Sequence, residues 1–405
     1  MSCFHSFGPR RCPSKLLAWC CLLCAVLPAA AGAAPFVPAD DTQVLERLPV
    51  RAGDPVAREL RALRAVLAGD PNSQSAALDL AWRYFELAMS EGDPRYIGYA
   101  EAALRPWWTL PAPPAPVLTL RGVLRQYKHE FAPALADLGA ATAIDPSDVN
   151  AWSWRAAIHL VQADYAASRT DCEGLRPHAS ALRLAGCFAS VDGAGGRARE
   201  AYRMLSAALS AEKEASPATR LWMHTRLAEF SLRLGERAQA ERHFKLALAQ
   251  GVTDQFILAE YADFLLDAGR NAEVLAMLKD WARSDVLLLR LALAAKAAGA
   301  AELAGHAEAM QARFEAAAMR ADKLHLQEEA RFLLYVRGKP REALAVAREN
   351  WQAEQREPRD ARILLEAALA AGDRAAAAPA LQWLDNSGHE DALLRDLAAR
   401  LGKLK

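Results

Sequence analysis

APVLTLRGVLRQYKHEFAPALADLGAATAIDP, residues 115–146, and the segment after it, VNAWSWRAAIHLVQADYAASRTDC at 149–172, decide the architecture of this chain. Each holds two apolar-periodic runs of helical length separated by a short polar break. Small residues recur across them at a fixed interval of 34: Ala100, Ala134 and Ser168 on one helix, Gly122 and Ala156 on its neighbour. The beat returns as Ala228 to Ala262, Ala240 to Val274 and Ala343 to Ala377, and Gly338 and Gly372 keep the same distance. Self-similarity at this period is the mark of stacked helix hairpins. Nothing along the chain reads as alternating strands, and EFSLRL and RFLLYV fall inside helical patterns.

The steric logic explains the residue types. Two antiparallel helices approach closely only where small side chains meet at the crossing, and large ones above and below fill the remaining space. Proline at the end of the second helix stops it by withholding an amide. Within 115–146 the pattern is Leu118, Gly122, Phe131, Ala134, Leu138, Ala141 and Pro146; within 149–172 it is Trp152, Ala156, Tyr165, Ser168 and Cys172. This arrangement resembles the tetratricopeptide repeat, from about residue 75 to 390, closely in two units and faintly in several. The resemblance implies an all-α fold, an α-solenoid of stacked antiparallel hairpins wound into a superhelix. It also implies a partner protein or extended peptide held on the concave face, which the first helices of successive repeats line. Gln126, Tyr127 and Trp154 are the candidate groove residues on that reading. The lysine, arginine and asparagine clamp by which some members grip a partner's carboxylate terminus is not matched: Thr119, Val123 and Trp154 stand at its places.

Ahead of the repeats, MSCFHSFGPRRCPSK carries Arg10, Arg11 and Lys15 without an acid, and Leu16–Leu27 is an unbroken apolar run. Such a run is too short to span a bilayer. Ala31-Gly32-Ala33 then fits a signal-peptidase site, so residues 1–33 read as an export signal cleaved after Ala33, and the mature chain as periplasmic or secreted. Its Ala-, Leu- and Arg-rich style is common in bacteria of high genomic GC content. Residues 34–54 read as an extended segment, and 55–108 as N-terminal helices with a first degenerate repeat. The Pro-rich interruption at 109–116 lies in PWWTLPAPPAP, a possible hinge; 117–405 is the solenoid, capped by a last helix in EDALLRDLAARLGK.

Of seven cysteines, five leave with the signal, and Cys172 and Cys187 remain in an oxidising compartment. A structural disulfide is the favoured reading, ahead of two separate thiols, because consecutive antiparallel helices bring the pair together. The mature chain carries 46 basic and 49 acidic residues, so its balance does not argue for nucleic acid as a partner. No later stretch is long and apolar enough to span a membrane.

Searches for chemistry return little. His129-Glu130 and His389-Glu390 lack the second histidine of a zinc-protease helix, and no Cys-x-x-Cys survives in the mature chain. The glycine cluster at 193–196 follows a helical segment and reads as a flexible turn, not a nucleotide cradle. No catalytic residue, metal ligand or cofactor is assigned. The expected function is a non-enzymatic scaffold or adaptor. The alternative is an envelope-assembly or polysaccharide-export component holding a glycan or an outer-membrane partner.

Overall fold

A computed structural model describes residues 40, 43, 54–353 and 355–404. The reading of residues 1–33 as an export signal, and nearly all of the extended segment after it, lie outside them. The chain divides into Met1–Ala57 and Arg58–Lys405. In the first unit, the Asp54 carboxylate accepts the backbone N–H groups of Val56 and Ala57 and so caps a helix start.

The second unit carries the repeats. After α1 (Pro55–Gly69) come nine hairpins: α2 (Gln74–Glu91) with α3 (Arg95–Ala103), α5 (Ala115–Tyr127) with α6 (Phe131–Ile144), α7 (Val149–Val161) with α8 (Tyr165–Leu175), α9 (Ala181–Ala194) with α10 (Ala198–Ala211), α11 (Pro217–Arg233) with α12 (Arg237–Leu248), α13 (Gln255–Asp267) with α14 (Asn271–Leu278), α15 (Asp285–Ala298) with α16 (Leu303–Met319), α17 (Leu326–Arg331) with α18 (Pro340–Gln352), and α19 (Pro358–Ala371) with α20 (Ala378–Ser387). A short α4 (Arg105–Trp108) follows α3, and α21 (Ala392–Leu401) closes the stack. Every regular element among the described residues is helical.

The 34-residue beat sits at the helix crossings. Ala100, Ala134, Ala156, Ser168, Ala228, Ala240, Ala262, Val274, Ala343 and Ala377 are all buried. At Gly122 a Cβ would stand 2.6 Å from Leu138 Cγ, so even alanine is too large unless α5 and α6 part. Leu118, Phe131 and Leu138 fill the space around that crossing. Side-chain oxygens of Asp148, Asp164, Ser180, Ser216, Asp254, Ser284 and Asp391 cap the helices that follow them, satisfying N–H groups that a helix start leaves open.

Boundaries differ from the sequence reading in two places, and one helical stretch takes an unexpected form. The second helix of the first repeat breaks at Leu104, where Pro106 cannot supply an amide to continue it. The helix of the next repeat already begins at Ala115, because Pro116 suits a first turn. RFLLYV forms a π-helical turn at Phe332–Val336 that continues α17, with Phe332 and Val336 buried.

Candidate functional site

The superhelix of the second unit winds tightly enough for late repeats to meet early ones. Gln355 bonds the His129 ring, and the Arg356 amide donates to the Val161 carbonyl at 2.9 Å. Trp383 Nε1 donates to the Tyr165 hydroxyl at 3.1 Å. His389 Nδ1 donates to the Ala194 carbonyl at 3.0 Å, and Glu390 Oε2 accepts the Ala198 amide at 2.6 Å, a carboxylate at the start of α10 contributed from 192 residues away. Residues 383–390 thus form a clasp on the turn between α9 and α10. The glycines at 193–196 fit this contact: a Cβ on Gly193 would stand 2.4 Å from the Phe230 ring, and one on Gly196 2.6 Å from the Gly388 carbonyl oxygen. At Gly193 and Gly196 the missing side chain serves close packing.

Charged side chains from alternate helices meet inside the superhelix. Asp263 on α13 takes two bonds from Arg290 at 2.7 and 3.1 Å and two from Arg331 at 2.8 and 2.9 Å. Burial alone would push the Asp263 carboxyl up, but the two guanidiniums more than offset this and hold it well below the usual range. Glu328 behaves alike: burial raises it, and the His325 and Arg290 cations bring it down to about 2. Glu260 goes the other way, raised to about 7 by burial and by the Glu229 and Asp263 carboxylates. The folded protein therefore holds a proton on Glu260 that the unfolded chain releases near the ordinary carboxylate pKa. Stability falls as pH rises from that value to about 7. Glu260→Gln is expected to raise the melting temperature at about pH 8 and to leave it unchanged near pH 4, where both states keep the proton. Equal effects at both pH values in a thermal scan would refute this account.

Beside the charged interior lies an apolar cavity of about 500 Å³ between α7, α9 and α11. Trp154 and Trp222 form its aromatic walls, Leu160, Val161 and Met223 add aliphatic surface, and Asn150, Arg183, Arg226 and Glu357 supply polar groups. Trp154 is half-buried and meets the Phe85 ring edge-on at 5.9 Å. Trp222 is 40% exposed. It lies against α9 because residue 186 is glycine; a Cβ there would stand 2.5 Å from the indole. Arg183 contacts Asn150 at 3.3 Å, with no carboxylate partner among the described residues. Cavities of this size and lining are typical of ligand and side-chain pockets.

Trp154 lines this cavity, whereas Gln126 and Tyr127, at the end of α5, are half-buried and are not among its walls. Tyr127 lies within reach of Asp93, Asp285 and Asp322, and burial pushes its phenol up to about 12. The sequence reading passed over Trp222, although it stands twice the 34-residue interval after Trp154. Arg226 and Glu229 precede Glu260 and Asp263 by one interval each, so the beat also marks the charged face.

Cys172 and Cys187 form a disulfide between α8 and α9, with Cα atoms 5.8 Å apart. In the chain-entropy picture, closing a loop of that size contributes about 3 kcal/mol. Trp107 and Trp108 are half-buried, and the Arg125 guanidinium sits 5.8 Å from the Trp108 ring centre. His224 and His243 face each other through Nδ1 atoms 3.1 Å apart, and His243 Nε2 bonds the Tyr202 hydroxyl at 2.9 Å. Among the described residues no group of three or more metal-ligating side chains converges, and no helix is long and apolar enough to cross a membrane.

This geometry defines the class: the second unit has the tetratricopeptide-repeat fold. No family model matches the chain, and no curated protein matches it in sequence. Among solved structures it resembles the APC/C hetero-tetramer Cut9–Hcn1, with a TM-score of 0.51 and 13% identity over 85% of this chain and 66% of that one. The chain thus spans just under two thirds of the length of the Cut9–Hcn1 chain. Matches also extend to the TPR domain of P58(IPK), at TM-score 0.20, 15% identity and 86% and 93% coverage. A further match is Naa15/Naa10 bound to HypK-THB, at TM-score 0.24, 14% identity and 85% and 63% coverage.

Proposed function

We propose that this chain is an exported interaction scaffold that engages a protein partner at the cavity between α7, α9 and α11. The observation that carries the reading is the contrast along the inner face. Asp263, Arg290 and Arg331 are taken up by one another and Tyr165 and Ala194 by the 383–390 clasp, whereas the Trp154–Trp222 cavity keeps a partly exposed indole and an arginine without a carboxylate partner among the described residues. Aromatic and arginine side chains in a recess are the groups that most often dominate binding energy between proteins. Export is supported by the leader-like start and by a disulfide, which persists in oxidising compartments.

The test is a photo-crosslinking residue at Thr219, which lines the cavity, with Met319, 83% exposed on α16, as the control position. In the native host, a single protein adduct is expected at 219 and none at 319. Trp222→Ala should remove that adduct, because truncating a central aromatic typically costs about 2 kcal/mol or more. Tyr127→Ala should leave it. Adducts of equal yield at both positions would refute the site. A glycan is the second reading, favoured by two indole faces in one recess, and adducts carrying sugar in place of protein would establish it.

A further inference from the structure

A histidine stands at each of the two joints where late repeats meet early ones. His389 Nδ1 donates to the Ala194 carbonyl across 195 residues, and the His129 ring meets the Gln355 amide across 226. The same two segments supply the Arg356 bond to Val161 and the Trp383 bond to Tyr165. Trp383 lies edge-on to Trp351 at 5.8 Å and 5.0 Å from the His389 ring, so the segments 351–356 and 383–389 pack side by side. Both joints are built for neutral imidazoles.

At the first joint a carbonyl only accepts, so His389 Nδ1 already carries a hydrogen and a second proton can go only to Nε2. That nitrogen is buried and has no hydrogen-bond partner, so an N–H placed there would be a buried charge without an acceptor. The facing cations are Arg233 on α11 and Arg395 on α21, which bonds the His389 carbonyl. The acids nearby are taken: Asp192 on α9 by Arg169 and Arg197, Asp385 by Arg395, Glu390 by the Ala198 amide and Asp391 by the Leu394 amide. Burial, with the Arg233 cation beside it, pushes the ring down to about 3.

At the second joint Gln355 Nε2 meets His129 Nδ1, so a second proton there would face the amide's own hydrogens. Turning the amide relieves that clash but leaves the burial and the Arg359 charge, which together bring His129 down to about 4. Glu357 and Glu328 pull the other way. They are engaged already, Glu357 by Arg359 at 2.7 Å and Glu328 by His325 at 3.7 Å. Lys128, next in the chain, is held by Glu101 at 2.7 Å and Glu130 at 3.2 Å.

We propose that the closure of the superhelix is an acid-sensitive latch: protonation of His389 and His129 releases residues 355–356 and 383–390 from Val161, Tyr165 and Ala194. The sign follows from linkage. Once freed, each imidazole takes a proton near its ordinary value of about 6.5, whereas the closed form refuses it until the pH is far lower. Each proton then favours the open form about tenfold per pH unit, and two favour it about 100-fold. From about pH 6 to about pH 4 this amounts to roughly 10³–10⁴-fold, the size of shift that turns a minor state into the major one. The charged interior does not let go first, because Asp263 and Glu328 stay ionised throughout that window. Opening uncovers Tyr165 and Trp383, so acid presents an aromatic surface that the neutral form keeps covered. The latch does not depend on the scaffold reading, and the crosslink at Thr219 can fail without it.

The test is native-state hydrogen exchange of the whole protein between about pH 6 and about pH 4, corrected for the intrinsic rate, at the Arg356 amide and the Trp383 indole N–H. Their opening constants are expected to rise together by about 100-fold per pH unit. The Leu138 amide within α6 is the control and should not follow them. His389→Asn keeps a donor toward Ala194, and His129→Asn keeps an acceptor for Gln355 at a φ of +59° that asparagine tolerates. Each should reduce the slope to about tenfold per pH unit, and the double variant should abolish it; the single variants decide should the double one fail to fold. Glu390→Gln, which still accepts the Ala198 amide, should leave the slope unchanged. Opening constants independent of pH, or a full slope that survives in either histidine variant or is lost in Glu390→Gln, would overturn the latch.

Discussion

Replacing Asp263 with alanine is expected to cost about 3–5 kcal/mol of stability, the usual penalty for leaving buried charges without their counter-ion. Asp263 carries four hydrogen bonds from two guanidiniums, and Arg290 is only 2% exposed. Without the carboxylate, Arg290 keeps only the neutral Val286 carbonyl at 3.0 Å; Glu328 lies 3.8 Å away, too far for a short charged hydrogen bond. The Arg331 bonds span 68 residues, so the loss falls on the register between non-adjacent hairpins as well as on one helix. Asp267 is the control. It makes a bidentate pair with Arg362 at 2.7 and 2.8 Å but near solvent, and Asp267→Ala should cost no more than about 1 kcal/mol. Urea unfolding of the two variants separates the cases. Equal losses would mean that the interior is wet enough to solvate Arg290 and Arg331 by itself.

The contrast between those two aspartates shows where sequence reading stops. The crossings were legible because sterics leaves a local mark: Gly122 against Leu138, and Ala156 and Ser168 one interval on, are small because two backbones approach there. The proline stops and the Asp and Ser caps are local in the same sense. The winding of the superhelix is not. It depends on small rotations between successive hairpins, and a few degrees at each decide whether Gln355 reaches His129 or faces an open groove. Trp154 shares its cavity with Trp222, two intervals away, a pairing that the grouping of Trp154 with Gln126 and Tyr127 did not include. The periodicity could have named that pair, since equal register on first helices means the same face. Nothing in the periodicity places His389 beside Ala194, because it arrives there only through the clasp.

Gly196→Ala is expected to open that clasp at a cost of roughly 2–5 kcal/mol. Two penalties combine. Gly196 has φ +82°, a left-handed conformation that costs a side-chain-bearing residue about 1–2 kcal/mol. Its new methyl would also stand 2.6 Å from the Gly388 carbonyl oxygen and 3.1 Å from the carbonyl carbon. Those are backbone atoms and cannot rotate away, so the overpacking penalty of about 1–3 kcal/mol falls on the turn as a whole. Relief by moving Gly388 pulls on its neighbours: the His389 bond to Ala194, the Glu390 carboxylate at the Ala198 amide and the Trp383 bond to Tyr165. Gly235→Ala separates the two penalties, since Gly235 has φ +77° with nothing within 4 Å of the added methyl, and should cost only the backbone part. In native-state hydrogen exchange, the Ala198 amide and the Trp383 indole N–H should exchange faster in Gly196→Ala and unchanged in Gly235→Ala. Trypsin should cut the former earlier at Arg395, whose guanidinium also bonds the Leu384 and His389 carbonyls. If the two variants lose equal stability and exchange alike, the approach of residue 388 to residue 196 contributes nothing, and the late repeats are held by the charged interior alone.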